Sequence, residues 1–576
     1  MAEHIYPKKI NNKIYYYIQR TWREKLEPGK NGKTRGTGKS RVRTRSIYLG
    51  TAESIWKGLK ETRKPVEVAH REFGFVTAVY QTAMEIGLVD LLKEYIPGVR
   101  YGVERWLYFM LPIINRLQHA TSKERLGKWS ATTVLPDLLE FDARRFTGDS
   151  FWHATEDIIS EKELKNSRNE NPELEKDIMV GLNDEVFQEI EGRLFSNLRN
   201  QLDISCDVLL YDTTNFFTYL EVPTPSKLAQ TGHNKEGHHQ CKQVGLAMCV
   251  EKEWGIPLFH RVYRGNSQDS KTFGGIVEEL ITQVQRGFNN IGSLVLVLDK
   301  GNNSEDNLAR LDGRIKWVGS LVPSHYSDLL DIPVTSYPGE WEEYKYYRCQ
   351  REVMGIQCAI VVTYSAKLAR KQRLTLENNI EKLKQQVRDK WAEYKRRPTS
   401  VRPGINSILK NSRYGKYISV GCENGVPVFQ YTNEFENKAE FFGKNILFSS
   451  EENAESSWII SQYHSKYKIE DAFKLLKDPD LIRWRPSRHW TDTKIRAFGF
   501  CCIMSLVVIK VMEYKAAKAG MRMSPAVLKE ELSDLKEIVM VYDENTAQTQ
   551  ISRRSSIQKK LWQLFDLGSI EEKLVR

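Results

Sequence analysis

The spacing of apolar positions divides the chain into stretches of different character. Gly74 to Tyr95, Val103 to Arg116 and Asp184 to Leu198 carry apolar residues three and four apart between polar connections, which predicts helices across residues 61–203. From Asp207 the period changes. Asp207–Tyr211, Gln243–Glu251 and Ile256–Tyr263 read as strands, the last two joined by a turn at Lys252-Glu253-Trp254-Gly255. Thr272 to Gln285 follows with Phe273, Ile276, Val277, Leu280, Ile281 and Val284 on one helical stripe. Leu294 to Leu298 is apolar throughout, as expected of a strand covered on both faces.

Strand, strand, strand, helix, strand predicts an antiparallel meander and then a helical crossover to a parallel strand. That is the order of an RNase-H-like α/β core. A doubly wound nucleotide-binding domain would alternate strand and helix from the start, and no Gly-rich phosphate loop follows the first strand. After Asp299 the pattern is interrupted for about 150 residues. Residues 313–365 look β-rich, and Ala366 to Arg397 form a charged helix with a seam of Leu376, Ile380, Leu383, Val387, Trp391 and Tyr394. The seam suits either a helical arm or a solvated surface helix. Strands resume until Ser449, helices return at Ile459–Lys477 and Thr493–Lys515, and Ser524-Pro525 opens a C-terminal helical tail.

The expected organisation is a basic β-rich module at 1–60 and a helical domain at 61–203. A core in two parts follows, at 204–310 and 451–520, separated by a β-rich insertion with a charged helix at 311–450. A helical tail at 521–576 completes the chain.

Composition adds one decisive point. The net charge is 86 minus 74, or +12, yet residues 1–50 alone hold 13 Lys/Arg against 3 Asp/Glu, or +10. Such a local excess favours a polyanion, because bound Lys and Arg release the counterions condensed on phosphates. Strand-like stretches Lys13–Ile18 and Arg45–Gly50 flank a basic Gly/Lys loop there. The eight cysteines show no metal-ligand spacing and no leader is apparent, so a reducing cytoplasm is expected. The longest uncharged apolar run, Phe498 to Ile509, falls short of the roughly 20 residues a bilayer span needs, so no membrane partner is expected.

The candidate chemistry is carboxylate chemistry. Asp212 and Asp299 each stand at the end of an apolar strand, where two neighbouring strands could bring them together. Mg²⁺ binds through a few carboxylates, water and phosphate oxygens, and two such ions can stabilise both oxygens of a phosphodiester displacement. Alone, either aspartate reads more readily as a turn or cap residue than as a metal ligand. A third acid, Glu470, would share one helical face with Tyr463, Lys466 and Lys477, and Asp471 lies one step round the helix.

The spacing Tyr463-x2-Lys466-x3-Glu470-x6-Lys477 resembles the Y-x2-R-x3-E-x6-K signature of the DDE transposases of bacterial insertion sequences. Other segments fall in the same family order. Leu210–Asn215 and Leu298–Asn302 resemble its first- and second-aspartate strands. Gly232-His233-Asn234-Lys235-Glu236, running on to Gln243-Val244, is similar to its G-x-S-K-D…Q-V segment. Gly265–Asp269 resembles its G-N-x-x-D turn, and Asn115-Arg116 with Ser122-Lys123 and Trp129 resembles a block of its helical region.

The resemblance implies an RNase-H-like catalytic core interrupted by a β-rich insertion. It implies cleavage at element ends dependent on two Mg²⁺ or Mn²⁺ ions, then attack of the freed 3′-OH on target DNA. Asp212, Asp299 and Glu470 would be catalytic and hold the metals. Tyr463, Lys466, Lys477 and Lys235 would contact DNA, and the protein would act as a homodimer or larger assembly on paired double-stranded ends. Lys466 stands where arginine is usual, keeping the charge but losing the bidentate fork. Asn234 and Glu236 replace Ser and Asp, and His238 stands where a basic residue is expected. Other readings are a catalytically silent end-binding relative, or a structure-selective nuclease without joining. His233, His238 and His239 lack zinc spacing, and Trp317 and Trp341 read as core rather than as base-stacking residues.

Overall fold

The computed structural model describes residues 2–25, 40–60, 64–156, 175–202, 204–205, 207–220, 226–232, 240–287, 294–394, 401–484, 489, 491–543 and 546–574. The chain divides into two compact units, Met1–His70 with Glu537–Ile551, and Arg71–Lys536 with Ser552–Arg576.

In the first unit β1 (Ala2–Ile10), β2 (Lys13–Lys25) and β3 (Ser40–Gly50) form an antiparallel sheet. The register sets Tyr6 opposite Tyr17 and Tyr17 opposite Tyr48, at ring separations of 5.7 and 5.4 Å. A helix, Ala52–Lys60, follows. β4 (Glu67–Glu72) belongs to a second sheet with the late strands Lys536–Asp543 and Thr546–Ile551. The C-terminal region is therefore not helical throughout. Its first helix starts where expected, with Ser524 Oγ accepting the Val527 N–H. It then gives way to the apolar, mostly β-branched run Ile538-Val539-Met540-Val541 before helices Ser556–Leu564 and Leu567–Leu574.

In the second unit the helices Gly74–Glu85, Leu88–Tyr95 and Leu107–Gln118, with the small hairpin β5 (Val99–Arg100) and β6 (Val103–Glu104), form one helical body with Asp492–Lys518. This 27-residue helix is longer than its apolar run suggested and could cross a bilayer by length and composition, but its apolar window is wholly buried within the protein. Ser505 Oγ donates to the Ile113 carbonyl, and Phe109 meets Phe500 edge to face.

The ten-stranded mixed sheet contains β7 (Val208–Thr218), β8 (Gln230–Thr231), β9 (Lys242–Glu251), β10 (Pro257–Arg264), β11 (Val295–Val297) and β12 (Lys316–Ser320). β7, β9 and β10 are antiparallel neighbours. The helix Asp269–Gly287 then leads to β11, which lies parallel to β7, as the order of elements predicts. The β9–β10 turn is held by Glu251, whose carboxylate accepts the N–H groups of Glu253, Trp254 and Ile256, and by Gly255 at a φ of 71°.

The stretch read as an insertion contributes β13 (Gly339–Trp341), β14 (Tyr344–Val353) and β15 (Ile356–Ser365), then the separate hairpin of β16 (Ile418–Glu423) and β17 (Val426–Tyr431), and last β18 (Lys444–Ser449). β18 pairs with both β12 and β15, so much of this stretch continues the central sheet. The seam of the helix Ala366–Tyr394 is satisfied within the chain: Leu376, Ile380 and Leu383 pack with Ile418, Phe435 and Phe442, and Val387 packs with Ile405.

Two sequence motifs meet at the edge of this sheet. Gln243 Nε2 donates to the Gly265 carbonyl at 2.7 Å, and a Cβ on Gly265 would sit 1.9 Å from the Gln243 carbonyl oxygen. Backbone cannot yield as a side-chain tip can. Gly265→Ala is expected to cost about 1–3 kcal/mol by overpacking, read as a lowered urea midpoint at unchanged slope.

Candidate active site

The register of three parallel strands builds the site. Val297 of β11 pairs with Leu210 of β7 and with Val318 of β12. Two residues further along each strand, Asp299, Asp212 and Ser320 come level and share the sheet face that alternation assigns them. Asp212 lies within β7, which runs on to Thr218, so the strand does not end there as its apolar run suggested. Asp299 follows β11 after one intervening residue, Leu298, and leads into a short helical turn, Lys300–Asn302.

Lys466 crosses between the two aspartates. Its Nζ is 3.0 Å from Asp299 Oδ2 and 3.7 Å from Asp212 Oδ2. The lysine side chain is only 10% exposed, against 17% for Asp212 and 33% for Asp299. Burial alone would push the Asp299 carboxyl up, but the Lys466 charge, its hydrogen bond and the Lys300 backbone N–H hold it below the usual range. Burial alone would push the Lys466 ammonium down, but the charges of Asp212 and Asp299 raise it. The Asp212 carboxylate also accepts the Thr213 N–H at 2.8 Å.

Tyr463 closes one side. Its hydroxyl donates to Ser320 Oγ at 2.8 Å and stands 3.5 Å from Asp299 Oδ1, and burial followed by the Asp299 charge pushes its pKa up. The helix Ser456–His464 that carries it packs its Ile459 and Ile460 on an apolar patch of Val318, Val361 and Leu447. Tyr463 and Glu470 do not share one continuous helix. The first helix ends at His464, and a second, Tyr467–Lys477, begins after the turn at Ser465–Lys466. This break turns Lys466 inward to the carboxylates.

Glu470 lies one turn beyond Lys466, its N–H 3.4 Å from the Lys466 carbonyl, and its side chain is exposed. Among the described residues no set of three or more His, Cys, Asp or Glu side chains is gathered to hold a metal, so Asp212 and Asp299 form a pair here. That pair still fits a hard divalent ion: one lysine nitrogen already reaches both carboxylates, and Mg²⁺ is commonly held by one or two carboxylates with water and substrate phosphate completing the shell. Asp471 is engaged by Lys474 at 2.7 Å.

Lys477 lies 5.5 Å above the Phe216 ring of β7, and Phe216 stacks on Trp484 at 4.5 Å. Lys235, the three histidines of its loop, Asn234 and Glu236 lie outside the described residues. Ser320 was missed by sequence reasoning; its only signal is the offset from the end of an apolar strand that it shares with Asp299. Trp317 is fully buried against Phe448, in agreement with its reading as core.

The helical block named beside the triad is a packing device. Asn115 Oδ1 accepts from the backbone and hydroxyl of Thr121, and Trp129 Nε1 donates to Gln118. Lys123 is buried with its ammonium 4.7 Å from the Phe151 ring and 5.1 Å from Phe498, and burial, aided by Arg116, pushes it down to about 7. A lysine depressed in the fold destabilises it wherever the unfolded chain binds the extra proton. Lys123→Met is therefore expected to gain about 1–3 kcal/mol at pH 7, a gain that fades as pH rises toward 10.5. Urea unfolding of both proteins across that range checks it.

A scan of protein-family models finds no match to the chain, and a search of curated proteins finds none. Among solved structures, the chain is similar to a piggyBac transposase in a synaptic complex with hairpin DNA, at 11% identity and a TM-score of 0.39, covering 80% of this chain and 77% of that one.

Proposed function

We propose that the chain is a DDE transposase with an RNase-H-like core, one that cuts DNA at the ends of a mobile element and joins the freed 3′-OH to target DNA. The observation that carries this reading is the convergence of Asp212 and Asp299, from adjacent parallel strands, on a single cationic nitrogen. The partner strand order β10-β9-β7-β11-β12 supports the core assignment. Asp212 and Asp299 would hold Mg²⁺ or Mn²⁺, and Glu470 would join them from the exposed face of its helix. Bound there, two such ions would activate the attacking oxygen and stabilise the leaving one.

The chain's own residues supply position and charge. Lys466 holds the carboxylates level, and on loading its ammonium is free to take a DNA phosphate. Tyr463 and Ser320 orient Asp299 from behind. Lys477, and Lys235 from its loop, would contact the backbone. The basic N-terminal sheet would recognise double-stranded ends, with two or more copies pairing them.

The test is nicking and strand joining on DNA bearing the element ends, with and without Mg²⁺ or Mn²⁺. Glu470→Gln is expected to lower cleavage by about 10²–10³-fold, the scale for losing one charge-stabilising group, without changing thermal stability, because its side chain is exposed. The gathering of two carboxylates rather than three favours a second reading, a silent end-binding protein. Tight end binding by the wild type with no cut under either metal would establish that reading instead.

A further inference from the structure

Between the second aspartate and the glutamate the chain forms a cleft of about 920 Å³, bounded by the helix Ala366–Tyr394, the turn around Gly415 and the helix Asn433–Ala439. Its floor is firm. Leu376 and Phe442 belong to the buried cluster with Ile380 and Phe435, and a Cβ on Gly415 would lie 2.0 Å from the Leu409 carbonyl oxygen, so the turn is pressed onto the preceding helix.

The walls are cationic and aromatic together. Lys371, Arg413, Lys416 and Lys438 line the cleft against the one carboxylate of Glu434. Among the described residues none of these four cations is ion-paired. A fifth, Lys444, is spent on the carbonyls of Leu330 and Ile332. The Arg413 guanidinium lies 4.7 Å over Tyr414 and the Lys416 ammonium 5.1 Å over Tyr417. Rings and cations thus alternate along one turn of chain.

We propose that this cleft binds single-stranded nucleic acid, with phosphates on Arg413 and Lys416 and bases against Tyr414 and Tyr417. Basic grooves with aromatic platforms hold single strands because every base has a face to stack. Duplex bases are already stacked on each other and present only their edges. An acidic peptide would use the cations and leave the rings idle. The inference borrows from the proposed function only its DNA partner, and it is scored without metal, so failure to cut DNA leaves it standing.

The test is fluorescence anisotropy of the full chain with labelled oligo-dT of about 16 nucleotides, and with a duplex of equal length, in a chelator. Because the basic N-terminal sheet can bind DNA too, the comparison is between variants. The exposed pair Arg413→Glu/Lys416→Glu is expected to weaken oligo-dT binding by about tenfold or more with duplex binding and melting temperature unchanged, and Tyr417→Leu, whose ring also packs on the floor, to weaken oligo-dT binding with duplex binding unchanged. Ultraviolet cross-linking of the thymines should fall on residues 413–417. Unchanged oligo-dT affinity in the charge-reversed protein, an equal loss on duplex, or displacement of oligo-dT by polyglutamate at matched charge overturns the proposal.

Discussion

Asp212→Asn is expected to abolish metal-dependent cleavage, by at least about 10³-fold, while DNA binding and folding stay close to wild type. The amide keeps the size of the carboxylate and an oxygen to accept the Thr213 N–H. Lys466 keeps its nearer partner, Asp299 at 3.0 Å. What disappears is one of the two anionic oxygens facing a single cation, and a neutral amide is a poor ligand for a hard ion. Binding to end-bearing duplex should change by less than about twofold, because in the proposed reading the phosphates are held by cations and not by this carboxylate. Nicking measured under Mg²⁺ and Mn²⁺, beside a gel-shift titration, checks both halves. Cleavage persisting near the wild-type rate would remove Asp212 from the chemistry.

Lys466→Met should act in the opposite sense, on stability first. It leaves two carboxylates facing each other with the buried ammonium gone. Breaking a buried ion pair costs about 3–5 kcal/mol. Because Asp299 is a third exposed and screened by water, about 2–3 kcal/mol is expected here. The loss should depend on pH. Asp299 is depressed in the fold, so its share is present above its unfolded value near 4 and is lost as pH falls through the lower folded one. Lys466 is raised, so its share is present below about 10.4 and is lost as pH rises through the higher folded value. The variant should also respond to metal more than the wild type, since Mg²⁺ no longer competes with a tethered ammonium for the same oxygens. Melting temperatures of both proteins with and without Mg²⁺, in the absence of DNA, provide the measurement. An equal shift in the two would show that the ion binds away from these carboxylates.

The three strands and crossover helix of the core were legible because the strands are apolar runs, the helix carries an apolar stripe of helical period, and the second and third strands are joined by a turn at Gly255. The break at Ser465–Lys466 was not. Its residues are neither Gly nor Pro, and both keep right-handed backbone angles. A continuous helical wheel placed Tyr463 and Glu470 together, whereas packing on Val318 and Leu447 directs the first helix and its Tyr463 toward Ser320. The run Ile538–Val541 was likewise absorbed into a helical tail. It forms a local hairpin with Thr546–Ile551, but that partner is a polar stretch with no apolar alternation, and its other neighbour, β4, lies hundreds of residues earlier.

By itself the sequence determined the type of chemistry: which side chains are acidic, which apolar runs deliver them, and that the basic excess sits in the first fifty residues. Only the tertiary structure decided that Leu210, Val297 and Val318 lie in one register, and so that Asp212, Asp299 and Ser320 stand level while Lys466 reaches both acids. The reason is that composition and periodicity are local properties of a chain. Register is set by the joint packing of strands far apart in it, and a slip of one residue would turn each of these side chains to the other face of the sheet.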